Sequence, residues 1–360
     1  MRKYRIFSIL IIFCFFMVLT GCMKGEQTLE EIDPPKDAET VDKQNENNNT
    51  KTVNEDGTSK DDVKGEQEMI AQKVYLIDAN GMVAPQTIEV SFPESGEVAK
   101  QALEYLVKEG PVTPVLPNGF RGVLPEGTEI LGLTLQEDGT VVVDLSEEFK
   151  NYDAKEERKI LEAMTHTLTQ FDNIDKVKLW INGKALDEMP VDGTPVSNGY
   201  SRANGINITE SDANDLLTSE TVTLHLPAEY NDTRYYVPIT KYVQNKDDDV
   251  YEAVVNSLLN GPGYHNNLIH VFNEETRLTE EPELKDGILQ LVFNEDILKD
   301  QDKAMLSDEV METLTRSLTE LQGIEGVDIK VENKDKLVNE NGEKMETPVM
   351  GEAVANDTTL

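Results

Sequence analysis

Bases are scarce in this chain. Its 360 residues hold 33 Lys and Arg against 69 Asp and Glu, a formal net charge of −36. Nucleic acid is a poor partner for such a surface, because affinity there comes from cations that neutralise phosphates. Adhesion of the folded surface to anionic lipid is disfavoured for the same reason. Cysteine is nearly absent: Cys14 and Cys22 are the only two, so no disulfide framework is expected. Tryptophan occurs once, at Trp180, and histidine four times. Walker loops, dinucleotide glycine fingerprints, G-x-S-x-G and H-E-x-x-H are all missing. No catalytic residue, cofactor or metal is therefore expected. The 38% apolar and 6% aromatic content supports modest cores rather than a membrane bundle, and the length suits two domains with a tail.

What is present begins at the N-terminus. Arg2, Lys3 and Arg5 precede an apolar run from Ile6 to Leu19. That is the layout of a secretory leader, too short for a bilayer that takes ~20 helical residues. The run ends in Leu19-Thr20-Gly21-Cys22, which is similar to the bacterial lipobox, cleaved before its cysteine and acylated on the thiol. An ordinary secretory signal or an uncleaved anchor is the rival. Small residues at Thr20 and Gly21, with cysteine where the apolar run stops, favour lipidation of Cys22. The expectation is a leader over 1–21 and a membrane anchor through the N-terminal lipid, on the extracytoplasmic face. Two or more acyl chains hold stably where one would not. Residues 22–70 carry scattered acids, Pro34-Pro35 and Asn45-Glu46-Asn47-Asn48-Asn49, with only isolated aliphatics. Such a stretch cannot bury enough apolar surface to order itself and reads as an acidic tether, with a span of ~40 Å.

The remainder repeats. Thr165, Leu168, Thr169, Phe171, Ile174, Val177, Leu179 and Ile181 match Thr315, Leu318, Thr319, Leu321, Ile324, Val327, Ile329 and Val331 at an offset of 150. Upstream, Gly139 through Phe149 matches Gly287 through Ile297, and Gly110-Pro111 matches Gly261-Pro262. A unit near 150 residues is too long for a solenoid repeat and right for a domain. Within each unit the pattern predicts a strand (74–77; 222–226) and then a helix ending before Gly110 or Gly261. A hairpin turned at Asp138-Gly139 or Asp286-Gly287 in type I′ geometry follows. A second helix and a last strand (177–181; 327–331) complete the unit, with Pro282 weakening the strand before Asp286. The order is βαββαβ, an α+β fold with one sheet and two helices on one face. The expected domains are 71–200 and 220–350, joined by a connector at 201–219 and followed by a tail at 351–360. The Leu216-Leu217 pair could dock that connector on a domain or leave it flexible.

Few side chains invite chemistry. His265 and His270 are five apart on no obvious helix face, a weak metal signal; His166, where the second copy has Arg316, is expected to be exposed. Glu147-Glu148 and Glu295-Asp296 could flank a glycosidic bond. They are better explained as first-turn acids behind the N-cap residues Ser146 and Asn294. Trp180 alternates with core-facing Leu179 and Ile181, which puts it on the face of Lys178, away from the core. There it is either covered by the neighbouring domain or open to a partner, and tryptophan is enriched at binding hot spots. Trp180 and Lys178 are the candidate contact residues.

Gly122-Val123-Leu124-Pro125-Glu126-Gly127-Thr128, Val141-Val142-Val143-Asp144-Leu145-Ser146 and Thr167-Leu168-Thr169-Gln170-Phe171 resemble the GerMN domain family. The second copy lacks the Leu-Pro-x-Gly-Thr run and carries Val292-Phe293-Asn294 in place of Asp144-Leu145-Ser146. The resemblance implies a lipoprotein of spore-forming Gram-positive bacteria, used in sporulation and later germination. It also implies a fold similar to ring-building motifs, and assembly rather than catalysis. The implied partners are proteins of the channel or engulfment apparatus between mother cell and forespore, with a ring or homo-oligomer as one form of assembly. The alternative is a lipoprotein that binds or hydrolyses peptidoglycan.

Overall fold

The computed structural model describes residues 69–93, 97–208, 219–244, 250–263 and 267–355. The leader, Cys22, the expected tether up to residue 68, Leu216-Leu217 and His265 lie outside the described residues, and Met69 and Ile70, placed in the tether by the sequence, begin the first strand. Among the described residues no helix is long and apolar enough to cross a membrane.

Each copy opens with a two-stranded hairpin. β1 (Met69–Ile77) pairs antiparallel with β2 (Val83–Ser91), and the Asp78 carboxylate accepts the Asn80 and Met82 N–H groups to form the turn. The second copy repeats the device with β7 (Ser219–Tyr230) and β8 (Thr233–Gln244). This corrects the expected βαββαβ order, which lacked β2 and β8. Their prolines, Pro85 opposite Tyr75 and Pro238 opposite His225, argue against a strand interior. They are tolerated because each strand of a two-stranded hairpin has a free edge, where a missing N–H breaks no ladder bond.

The first copy continues through α1 (Val98–Glu104), β3 (Ile130–Leu135), β4 (Thr140–Leu145), α2 (Glu157–Leu168), β5 (Lys176–Ile181) and β6 (Lys184–Ala185). The second has α3 (Val250–Leu259), β9 (Glu283–Lys285), β10 (Ile288–Phe293), α4 (Asp308–Leu318), β11 (Gly326–Val331), β12 (Val349–Met350) and α5 (Gly351–Ala355). The four-stranded sheets run β3-β4-β5-β6 and β12-β11-β10-β9, with β4/β5 and β10/β11 parallel. The α+β class and the two repeated domains are as expected. The single sheet per copy is not: the hairpin forms a second, separate one. α2 packs on both β1 and β5, and α4 on both β7 and β11. Helices covered on two sides bury nearly their whole circumference, from Ile160 to Leu168 in α2. His166 is consequently buried at 4% exposure, which corrects its expected exposure.

Two further expectations change. α1 stops at Glu104 rather than near Gly110 because the Leu106 carbonyl accepts the Val123 and Leu124 N–H groups and Lys108 N–H donates to Leu124. That draws the chain out of the helix. At the β3–β4 turn only Gly139 has positive φ, with Gly139 N–H donating to Gln136 and Gln136 N–H to Thr140. This is a type I turn with a glycine bulge rather than type I′. Asp286 and Gly287 are both at positive φ (49° and 81°), so the second copy keeps the expected turn.

The copies pack through their hairpins. Tyr235 donates its hydroxyl to the buried Asp78 carboxylate at 2.8 Å and meets Phe120 edge-on, 4.9 Å between ring centroids. Ala84 of the first copy belongs to the apolar core of the second. Asn207 lies between the free edges of β2 and β8: its Oδ1 accepts Val83 N–H, and its Nδ2 donates to the Val83 and Pro238 carbonyls. Next to it, Ile206 is fully buried and exchanges two bonds with Thr240. The start of the expected connector is thus clamped into the junction.

Candidate protein-interaction surface

The face of the first copy's sheet turned away from α2 is built by simple alternation. Along β5, Val177, Leu179 and Ile181 are buried, whereas Lys176 and Lys178 are half-buried and Trp180 is 36% exposed. The register sets Trp180 beside Asp144 on one side and Ala185 on the other, with Gly132 beyond Asp144. Gly132 has open space where a side chain would stand, so the indole is bordered by small groups. Thr134, Val142 and Lys178 form the adjoining row. A bulge between Ile130 and Gly132 turns Leu131 outward, 47% exposed. Asp144 is not free: both carboxylate oxygens accept Gly183 N–H, at 2.9 and 3.0 Å, which pins the turn carrying β6. Trp180 and Lys178 therefore share one face, as their spacing predicts. Leu131 was missed, because strict alternation hides an outward residue produced by a bulge.

The counterpart face in the second copy is polar. Lys330 takes the place of Trp180 and donates to Gln290 at 2.5 Å, with Asp328 at 3.5 Å. The two copies share a fold but not a surface.

The remaining candidates are held by structural bonds. Ser146 and Asn294 do stand at N-cap positions, but their side chains do not cap: Ser146 Oγ accepts Glu129 N–H, and Asn294 Oδ1 accepts Arg277 N–H. They tie the turn to an earlier loop segment instead. Glu147 is paired with Lys150 at 2.6 Å and bonded by Asn182. A hydrogen bond from Ser146 holds the Glu148 carboxyl below its ordinary pKa, the wrong direction for a general acid. His270 Nε2 meets the Leu259 carbonyl at 3.0 Å. Among the described residues no group of His, Cys, Asp or Glu is arranged to hold a metal ion. His166 meets the Tyr75 ring at a tilt, 5.2 Å between centroids, and burial, then the nearby Arg202, push its pKa down to about 3. It is neutral at any ordinary pH.

A family model described as "Germane: Sporulation and spore germination" matches residues 73–187 and 223–337. The spore germination protein GerM of Bacillus subtilis (strain 168) is 43% identical over 341 residues, covering 92% of each chain. The solved tandem GerMN domains of that organism's sporulation protein GerM share 45% identity, with a TM-score of 0.71 over 78% of this chain and 96% of theirs.

Proposed function

This chain belongs to the Germane family of sporulation and spore germination proteins, and from that membership we propose that it is a lipid-anchored assembly factor acting outside the cytoplasmic membrane. Its anchor is the acylated thiol of Cys22, and its tether lets the folded part reach proteins of the apparatus joining mother cell and forespore. The observation that carries this reading is the open sheet face of the first copy, where Trp180 and Leu131 stand exposed with Lys178 beside them. An exposed tryptophan bordered by small residues makes a hot-spot anchor for a partner surface. The hairpin faces, by contrast, are used between the two copies. Of the carboxylates that would serve peptidoglycan hydrolysis, Glu147 is paired with Lys150, Glu295 with Lys334, and Asp296 accepts from Asn294.

The test is co-purification from sporulating cells of the affinity-tagged chain and two variants, Trp180→Ala and Cys22→Ala. The expected result is a set of envelope proteins recovered with the parent chain and reduced at least tenfold with either variant, which corresponds to ~1.4 kcal/mol or more at the contact. Equal recovery with Trp180→Ala would overturn the assignment of this face. Release of muropeptides by the purified chain would overturn the non-enzymatic reading.

A further inference from the structure

The first copy closes the outer edge of its sheet with its own chain. Beyond β5 the turn at Asn182-Gly183 brings Lys184 back opposite Ile181 and Ala185 opposite Trp180. Leu186 N–H then donates to the Leu179 carbonyl at 2.9 Å. The second copy starts the same way, with Val331 bridged to Lys334 and Lys334 N–H donating to Val331 at 3.2 Å. It then diverges. Leu337 turns into the core, and Val338 exchanges bonds with Ala304 and Leu306. Those contacts pull the chain off the sheet edge. Lys336, the counterpart of Leu186, is left exposed.

Between β12 and the Lys334 bridge the edge stays bare at Ile329. β12 covers only Gly326 and Val327 of β11. Among the described residues none bonds the edge-facing backbone of Ile329, the counterpart of Leu179. Ile329 buries its side chain in the core, at 3% exposure overall, and leaves its edge-facing peptide groups as an unpaired strand edge of the kind that accepts another chain. Beside it lies an open groove of about 740 Å³, walled by Val292, Ile329, Lys330, Lys336, Lys344 and Met345.

We propose that this groove receives an extended peptide segment of a protein partner, added as a strand antiparallel to β11 where β6 lies in the first copy. The first copy shows what fits such an edge: a short extended strand whose main chain pairs with the residue at the Leu179 position. Main-chain bonds to Ile329 would supply the affinity and the side chains around the groove the selectivity, the ordinary logic of strand addition to a sheet edge. Lys336 and Lys344 line the groove together with Glu280, Asp335 and Glu346, so the site carries both signs. It suits a segment of mixed charge rather than a simple anion. The inference concerns the second copy and stands independently of the role proposed for Trp180.

The experiment is hydrogen exchange of the full chain in detergent, with and without a synthetic peptide reproducing Gly183 to Glu188 of this sequence in millimolar excess. An amide freed only when the peptide leaves exchanges about tenfold more slowly once the peptide stands at ten times its Kd. That slowing is expected across residues 327–337. It should vanish in Val292→Arg, which sets a long cation in the groove wall, and persist in Trp180→Lys. Lys344→Trp, which fills the groove from its exposed rim, replaces Val292→Arg if unchanged exchange in β7, β8 and α4 does not certify that variant as folded. No slowing over 327–337, or equal slowing in the blocked variant, would overturn the proposal.

Discussion

Glu157 and Glu162 lie on one helix, both almost wholly buried, and their carboxyls are driven in opposite directions. Burial alone would push Glu157 up. The N–H groups of Asp192 and Thr194, with Val191 N–H and the Tyr152 hydroxyl, more than offset it and hold the pKa below its ordinary value. Its charged form therefore contributes stability above pH 4.5 that is lost as pH falls. Glu157→Ala strands four donors and should cost ~3 kcal/mol at neutral pH, with a smaller penalty in acid, read from urea titrations at two pH values. Glu162 has only the Asn207 N–H, and burial raises its pKa to about 7. Its contribution is fully present below pH 4.5 and falls away as pH rises to about 7. Glu162→Gln escapes that loss, so relative to the parent it should gain stability between pH 5 and pH 8, by at most ~3 kcal/mol. A gain that is flat across this range would refute the assignment. In the second copy the equivalent Glu312 has Arg316 as a partner at 3.0 Å; in the first copy that position is His166, which stays neutral. Glu162 was hidden in the sequence because an amphipathic helix would turn that position to solvent, whereas Glu157 falls on the apolar face with Leu161 and Met164 and only its loop partners at 191–194 were invisible.

The missing elements explain that failure. Helix period, the β4–β5 alternation and the 150-residue offset were legible because each rests on a repeated local pattern. β2 and β8 were not, because Pro85 and Pro238 mask strands whose free edges tolerate them. Without those hairpins, α2 appears to have a solvent face, and His166 falls on it. The turns teach the same lesson at shorter range: Asp-Gly stands in both copies, yet the loop closes as a bulged turn in one and type I′ in the other. Glycine has a different meaning at each site in the β3–β4 pair. Gly139 has φ of +77°, and an added Cβ would collide with the Asp175 carboxylate. Gly139→Ala should cost ~1–2 kcal/mol. Gly132 has ordinary φ and open space, so Gly132→Ala should be neutral or stabilising by ~0.5 kcal/mol. Thermal melts of the two variants check the contrast.

Taken whole, the molecule is two copies of one fold joined by contacts that neither copy could make alone. The duplication and the side of the sheet on which Trp180 stands were readable from the sequence; that this side is left uncovered was not. The clamp at Asn207 was not, since it depends on two strand edges far apart in the chain, at Val83 and Pro238, meeting one side chain. The junction should make the described domains unfold in a single transition. Asn207→Ala leaves the Val83 and Pro238 groups without that partner, at ~1–3 kcal/mol, and should split or broaden the transition in calorimetry. A junction that holds the copies in one orientation also fixes the angle between the Trp180 face and the β11 groove.

The most direct measurement of the assembly role is site-specific photocrosslinking in sporulating cells, with the photoreactive residue placed at position 180 and, as control, at the exposed Val191 on the loop beyond β6. The account predicts discrete envelope-protein adducts from position 180, absent from position 191 and lost when Cys22→Ala removes the anchor. Adducts that are identical at both positions, or absent from position 180, would contradict it.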